Sequence, residues 1–173
     1  VSILGFAQAT ALAGSFAPPD DFWRGQLGRV ADDVYAMAGV ERSDIDALMV
    51  YDNFSPTVLF SLEGLGFCGA GESGQFVQGG RLELGGDLPT NTSGGHLSES
   101  YMQGWALNVE AVRQLRGSCG ERQVAGGVDG PRPVRREARH EDDAVVGDFR
   151  EADHGLAGCR TDWVRFVRIV PVP

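Results

Sequence analysis

The sequence contains no lysine and no run of clustered basic residues. Its 15 basic residues are all arginine, and 24 acidic residues bring the net charge to −9. Nucleic acids and anionic lipid surfaces bind proteins through clustered positive charge, which neutralises their phosphates. The charge balance therefore argues against a nucleic acid or a membrane surface as the partner.

Long apolar runs and cysteine are also scarce. The apolar start over residues 1–13 has no basic leader and is interrupted by glycine and polar residues, so it predicts neither a signal peptide nor a membrane span. Cys68, Cys119 and Cys159 are too widely spaced for a disulfide framework or a CxxC metal site. We therefore expect a reducing, cytoplasmic setting and no metal.

The residues that are present divide into two parts at Val124. A length of 173 residues suffices for one domain with a sizeable core. Apolar periodicity runs through residues 1–124, whereas the last 49 residues hold nine acidic residues, eight arginines and one leucine, Leu156. Such a composition offers little apolar surface to offset the ordering entropy. We predict a domain over 1–124 and an anomalous charged tail over 125–173, either disordered or out of frame, with residues 163–172 as its one candidate strand.

The first part alternates strands and helices, which is typical of an α/β layered domain. A continuous apolar run over residues 47–51 predicts a strand that is buried on both faces. In the last helix, apolar residues recur at intervals of three or four, at Tyr101, Trp105, Val109, Val112 and Leu115. The predicted elements, in chain order, are a strand over 2–9, a helix over 22–38, a strand over 47–51, a helix over 55–65, hairpins within 66–95, a helix that starts near Ser98 and ends at Gly117, and the beginning of a strand at Gln123-Val124.

Two stretches place polar side chains and glycine at the ends of elements, where α/β folds build their sites. The first is Tyr51-Asp52-Asn53, for which hydrogen bonding to the following turn is the simpler interpretation. The second runs from Asn91 to Gly104 and turns through Gly94-Gly95 into a helix whose first turn presents Tyr101. The positive end of that helix would favour an oxyanion or enolate, although core packing is the alternative role for the tyrosine.

Together the two stretches resemble the C-terminal half of the thiolase superfamily, in its lipid-transfer-protein branch, over nearly all of residues 1–124. Tyr51-Asp52-Asn53-Phe54 stands where thiolases carry a motif of the Asn-Glu-Ala-Phe or His-Asp-Cys-Phe type. Residues 91–104 match without a gap the frame Asn-x-Ser-Gly-Gly-Leu-x-Ser-x-Gly-His-Pro-x-Gly, with Tyr101 at the position of the catalytic histidine, and residues 110–117 are typical of the branch. The resemblance implies an α/β fold that is the C-terminal half of a thiolase-like layered fold and is incomplete by itself.

Family members continue beyond the position of Val124 with strands that complete the sheet. Here the sequence instead becomes glycine-rich and then arginine-rich, and it loses its leucines. We therefore hypothesise that the coding frame is lost near residues 125–130. Two strands would then be missing, and an unpaired sheet edge would be exposed.

The resemblance implies chemistry on acyl-CoA thioesters that needs no cysteine nucleophile. The branch offers retro-aldol cleavage of steroid side-chain β-hydroxyacyl-CoA, in which a base takes the hydroxyl proton and the thioester enolate is stabilised and protonated. By resemblance, Tyr51 and Tyr101 are the acid/base pair, with Asp52 and Asn53 beside them in the catalytic motif. The implied substrate-binding residues are Asn91, Ser93, Gly94, Gly95 and His96.

His96 admits two interpretations, because family members often have leucine at its position. A histidine can act as a base near neutral pH. A loop histidine that is hydrogen-bonded to the backbone is the favoured alternative.

Two other functions stay open. One is a non-catalytic acyl-CoA or lipid-binding module that kept the fold and lost turnover. The other is an acetyl-CoA acetyltransferase fragment, which would require a reactive cysteine from an N-terminal half. This chain alone is expected to be inactive, with no cofactor other than coenzyme A as part of the substrate. The resemblance also implies a homodimer and, for some aldolase relatives, a small partner protein with a zinc ribbon and an oligonucleotide-binding fold.

Overall fold

A computed structural model describes residues 1–12, 21, 23–99, 102, 104–125, 143–150 and 159–168. None of the helices among these residues is long and apolar enough to cross a membrane. Short 3-10 turns at Arg42–Asp44, Gln78–Gly80 and Gly120–Arg122 supplement the longer elements. In chain order these are β1 (Ser2–Leu12), α1 (Gly25–Ala38), β2 (Ala47–Val50), α2 (Ser55–Gly64), α3 (Ser73–Phe76), α4 (Trp105–Leu115), β3 (Asp143–Arg150) and β4 (Cys159–Arg168).

The four strands form one sheet in the order β1-β4-β3-β2. β4 runs antiparallel to both β1 and β3, with Gln8 opposite Trp163 at the first pairing. β2 and β3 are parallel, with Ala47 opposite Ala144. Parallel neighbours require a long crossover, and α2, α3 and α4 lie between these two strands in the chain. The two middle strands of the sheet therefore come from the last part of the chain.

This arrangement differs from the expectation for the tail. Sequence analysis assigns a tail strand to residues 163–172 alone, whereas the structure has a strand over Asp143–Arg150 and begins the last strand at Cys159. Ala144-Val145-Val146 is too short an apolar run to show periodicity by itself, yet it suits a strand between two others. Residues 126–142, 151–158 and 169–173 lie outside the described residues, so the boundary at Val124 and the out-of-frame hypothesis stay predictions.

β2 is buried on both faces, as its continuous apolar run predicts. Leu48 and Val50 belong to a cluster with the buried side chains of α1 and α2. Met49 and Tyr51 belong to a second cluster with buried residues of α4. Because side chains alternate along a strand, these helices cover opposite faces of the sheet. The result is the predicted α/β layered fold, and it places Tyr51 on the α4 side.

α1 confirms the predicted amphipathic helix over its described part. It ends at Gly39, whose φ of 67° is left-handed and whose backbone N–H donates to the Tyr35 carbonyl at 2.9 Å. Asp20 and Phe22, at the predicted start of the helix, lie outside the described residues. The buried residues of α1 are Leu27, Val30, Ala31, Val34 and Tyr35.

The glycine-rich segment does not form the predicted hairpins. Ser73–Phe76 is a short helix and Gln78–Gly80 is a 3-10 turn, although both lie in the stretch assigned to strand pairing. Gly80 has a φ of 75°, a left-handed conformation that a regular strand does not use. The isolated bridge formed by this segment joins Thr90 to Leu48. The segment therefore covers the edge of β2 instead of building a separate hairpin.

α4 begins later than predicted and buries a different face. Gly104, with a φ of 88°, precedes the first helical residue, Trp105, whereas the predicted helix begins near Ser98. A left-handed residue cannot continue an α-helix, so the helix begins after it. Trp105 and Val109 are 49% and 43% exposed, so the face that carries the apolar repeat is not the buried one at these two positions. The buried residues of α4 are Ala106, Leu107, Glu110, Ala111 and Gln114.

Candidate functional site

The carboxyl end of β2 brings Tyr51 and Asp52 against residues 91–96, which we call the glycine loop. Both side chains directly follow the buried strand and are themselves buried, at 7% and 4% exposure. Asp52 Oδ1 accepts a hydrogen bond of 2.8 Å from the backbone N–H of His96. Two stretches that sequence analysis singled out separately, 44 positions apart at this contact, therefore meet in one place.

The two asparagines of the predicted site have different surroundings. Asn53 is exposed, and its Oδ1 accepts a hydrogen bond of 3.2 Å from the Thr57 hydroxyl in α2. Asn91 Oδ1 accepts from Val50 N at 2.9 Å, and its Nδ2 donates to Val50 O at 2.8 Å. The Asn91 amide thus fastens the glycine loop to the end of β2. A catalytic role for Asn53 and a substrate contact for Asn91 stay predictions.

Gly95 occupies a position where no other residue fits. Its φ of 65° is left-handed, and a Cβ atom there would overlap the Asp52 carboxylate. Gly94, with a φ of 98°, is left-handed as well. The glycine pair therefore lets the backbone turn in direct contact with a buried carboxylate, and this contact shapes the loop.

His96 connects the glycine loop to the start of α4. Its Nε2 accepts a hydrogen bond of 2.7 Å from the backbone N–H of Gly104. Its ring meets that of Tyr51 edge to face, with 4.8 Å between the centroids and 83° between the planes. The interpretation of His96 as a loop histidine bonded to the backbone is confirmed. The lone pair on Nε2 is therefore occupied by this hydrogen bond.

Two further predicted site residues are Ser93 and Tyr101. Ser93 Oγ is buried and has no hydrogen-bond partner among the described residues. Buried hydroxyls are usually hydrogen-bonded in native proteins, so this one is a candidate for contact with a ligand. Tyr101 lies outside the described residues, and its part in the acid/base pair stays a prediction.

Sequence analysis missed the buried carboxylate of Glu110. The side chain is 1% exposed and accepts a hydrogen bond of 2.8 Å from the Thr92 hydroxyl, within the glycine loop. Burial by itself would raise the pKa of Glu110, but hydrogen bonds from Arg122 and Thr92 and the Arg122 charge outweigh it and lower that pKa. Its position in the sequence was the available signal for this burial. Glu110 lies three residues after Leu107 and directly before Ala111, so it falls on the buried face of α4.

Cys68 and Cys119 are poor nucleophiles. Burial, followed by the nearby charges of Glu63 and Glu72, raises the pKa of the Cys68 thiol to about 11. Burial and the Glu110 carboxylate likewise raise the pKa of Cys119 to about 11. Cys119 is 5% exposed. Neither thiol has the electropositive setting that activates a catalytic cysteine.

A groove of about 380 Å³ opens along α4. Its lining combines apolar side chains with two carboxylates and a guanidinium. Within the part of the chain that the structure describes, no group of three or more His, Cys, Asp or Glu side chains is placed to hold a metal. The lining residues of the groove are Glu99, Met102, Ala106, Val109, Glu110 and Arg113.

A family model and several curated proteins match parts of this chain. The family model described as "Thiolase C-terminal domain-like" matches residues 14–129. A steroid side-chain-cleaving aldolase of Thermomonospora curvata is 48% identical over 93 residues, which are 54% of this chain and 24% of that protein. A 17-hydroxy-3-oxo-4-pregnene-20-carboxyl-CoA lyase of Mycobacterium tuberculosis is 44% identical over 93 residues, with the same shares of each chain.

A solved structure is similar over most of the fold. It is described as an Ltp2-ChsH2(DUF35) aldolase and superposes with a TM-score of 0.69 at 31% sequence identity. The match covers 96% of this chain and 39% of that chain. The chain spans about a quarter of the length of the two curated relatives.

Proposed function

Because this chain belongs to the thiolase C-terminal domain-like family, we propose that it supplies one side of the active site of a lipid-transfer-type aldolase. The proposed substrate is a steroid side-chain β-hydroxyacyl-CoA. The observation that carries the proposal is the meeting of Tyr51, at the end of β2, with the glycine loop through Asp52 and His96. The names of the two most similar relatives described above support the same reaction class.

In the proposed reaction, two phenols divide the proton transfers. A base takes the proton of the tertiary β-hydroxyl, the bond between the α- and β-carbons breaks, and its electron pair forms the thioester enolate. Protonation of that enolate at carbon gives a shorter acyl-CoA beside the ketone. Tyr51 is proposed for one transfer and Tyr101 for the other. No cysteine takes part, which agrees with the raised pKa values of Cys68 and Cys119.

The glycine loop is proposed to hold the thioester. Left-handed Gly94 and Gly95 carry no side chain, so a ligand can approach their backbone closely. The buried Ser93 hydroxyl is proposed to donate to the thioester oxygen, where negative charge develops in the enolate. Asp52 and His96 are proposed to position this loop, since both are already engaged with backbone amides.

A second protein is proposed to complete the active unit. The similar solved structure is described as an aldolase of two components, Ltp2 and ChsH2(DUF35). A partner protein of the ChsH2(DUF35) kind is consistent with the proposal that this chain supplies only one side of the active site. Homodimer formation stays a prediction.

The test is a hybrid enzyme with a mass-resolved product assay. The segment of the Thermomonospora curvata aldolase that matches this chain is exchanged for the corresponding residues of this chain, and the unaltered aldolase serves as the control. A steroid β-hydroxyacyl-CoA is supplied, and the ketone and shorter acyl-CoA are measured together. We expect Tyr51→Phe and Tyr101→Phe to lower cleavage by about a hundredfold or more, with substrate affinity changed by less than about threefold.

The outcomes separate the proposed functions. Cleavage by the hybrid that is lost in both tyrosine variants supports the aldolase. Tight substrate binding by a folded hybrid without product contradicts it and favours the non-catalytic binding module. Cleavage that persists in Tyr51→Phe contradicts the role of this residue alone.

A further inference from the structure

The carboxylate of Glu110 joins three segments that are distant in the chain. Its Oε1 accepts from the Thr92 hydroxyl at 2.8 Å and from Arg122 Nε at 3.4 Å. Its Oε2 accepts from Arg122 Nη2 at 3.2 Å. Glu110 lies on α4, Thr92 lies in the glycine loop, and Arg122 lies in the 3-10 turn that follows α4. A buried charge with hydrogen bonds from both sides fixes its donors more firmly than a neutral group would.

Gln114, one helical turn beyond Glu110, completes the arrangement. Its Nε2 donates to the Thr92 hydroxyl at 2.8 Å and to the Arg122 carbonyl at 2.6 Å. Its Oε1 accepts from Val124 N at 3.0 Å. The Thr92 hydroxyl thus donates to a carboxylate and accepts from an amide, so its orientation is set from both directions.

These contacts hold the glycine loop near its start, at Thr92. Asn91, just before Thr92, is held by the backbone of Val50, and His96 is held by the Asp52 carboxylate. Between these two anchors lie the left-handed glycines, which by themselves allow many backbone conformations. Thr92 is held by two buried side chains of α4, Glu110 and Gln114, directly before this otherwise permissive stretch.

We propose that Glu110 and Thr92 are positioning residues, which hold residues 93–96 in the conformation that receives the acyl-CoA thioester. The identity of the ligand rests on the proposed function, whereas the effect on the loop does not. Neither residue needs to touch the substrate. Binding energy that would otherwise be used to order the loop is then available for catalysis.

The test compares Thr92→Val with Thr92→Ser and Glu110→Gln. Valine has nearly the shape of threonine without the hydroxyl, serine keeps the hydroxyl, and glutamine keeps an acceptor without the charge. Amide hydrogen exchange is followed in the whole chain over residues 91–97, with α1 on the opposite face of the sheet as the reference. We expect exchange in the loop to rise about tenfold or more in Thr92→Val, to rise less in Glu110→Gln and to change by less than about twofold in Thr92→Ser.

Turnover gives a second readout in the hybrid enzyme described above. We expect kcat to fall about tenfold in Thr92→Val with KM raised less, and Thr92→Ser to restore both. A folded Thr92→Val variant with unchanged loop exchange overturns the proposal. Exchange that rises equally in α1 also overturns it, because the effect is then general destabilisation. If the unsubstituted hybrid shows no turnover, the proposed function fails, while the exchange comparison still decides whether Thr92 and Glu110 position the loop.

Discussion

At the scale of single residues, the contact between Gly95 and Asp52 decides whether the glycine loop can form. We predict that Gly95→Ala lowers the free energy of unfolding by more than about 2 kcal/mol, or prevents folding. The left-handed conformation costs an L-residue about 1–2 kcal/mol, and the new methyl group would also overlap the carboxylate. Equilibrium denaturation in urea measures the difference.

Gly25→Ala provides the matched control for that substitution. Gly25 is the first residue of α1, has no left-handed φ, and offers open space for a methyl group. Its replacement should be neutral or slightly stabilising. A Gly95→Ala protein as stable as the Gly25→Ala protein would contradict the loop geometry. Asp52→Ala should recover part of the loss in the double variant, since it removes the atoms that the methyl group meets.

The cysteines allow a second prediction at this scale. With the pKa values of Cys68 and Cys119 raised to about 11, their thiolates are scarce at pH 8. We expect iodoacetamide to alkylate both roughly a hundredfold more slowly than a small free thiol. Peptide mass mapping resolves each site separately. Fast modification of either residue in the folded chain would contradict its buried setting.

At the scale of elements, Glu63 holds α2 to its neighbours. Its carboxylate accepts from the Ser73 hydroxyl at 2.6 Å, which joins α2 to α3, and from Trp23 Nε1 at 3.1 Å. Trp23 in turn stacks on Phe60 of α2, with 4.8 Å between the ring centroids. Burial alone would raise the pKa of Glu63, yet the hydrogen bonds from Ser73, the Gly71 backbone and Trp23 outweigh it and lower that pKa.

The lowered pKa of Glu63 predicts a particular pH dependence. A carboxyl whose pKa is lower in the folded chain stabilises the fold above the unfolded value of 4.5, and this contribution is lost as the pH falls below it. Glu63→Gln should lower the free energy of unfolding by about 1–3 kcal/mol at pH 7. It should also flatten the decline between pH 6 and pH 3, in denaturation series across that range. Glu83→Gln, at an exposed position, controls for the loss of one charge, and equal curves for the two variants would contradict the prediction.

The elements that could be predicted are those whose pattern is local. α1 and β2 follow from helical spacing and from one continuous apolar run, and both are confirmed. The start of α4 was harder to predict. The left-handed Gly104 delays the first helical turn, and the spacing of apolar residues does not reveal this. Glu110 and Gln114 were missed since charged and amide side chains on a helix are usually exposed. They can be buried because the fold supplies hydrogen-bond partners, such as the Thr92 hydroxyl for Glu110 and the Val124 backbone N–H for Gln114.

At the scale of the whole molecule, the site was easier to predict than the sheet. The resemblance of two motifs to the thiolase superfamily predicted that Tyr51 and the glycine loop belong to one site. The hydrogen bonds of Asp52 and His96 could be seen only in the structure. β3 could not be predicted, because strand pairing between distant segments leaves little trace in a short sequence window. Sequence composition predicted one candidate strand in the tail, over residues 163–172, whereas two stretches of residues 125–173 form the middle of the sheet.

The sheet order yields a final prediction, on removal of the tail. β1 pairs with β4, and β2 pairs with β3, so deletion of residues 126–173 would leave both remaining strands without the neighbours that they have in the structure. Exposed strand edges promote aggregation. The helices on the two faces of the sheet would also lose its two middle strands. We expect the 1–125 chain to lose cooperative unfolding and to aggregate at concentrations where the 1–173 chain is monodisperse, as measured by urea denaturation and light scattering. If the shorter chain unfolds cooperatively with the same midpoint and slope, the tail is no part of the domain, and the boundary at Val124 is correct.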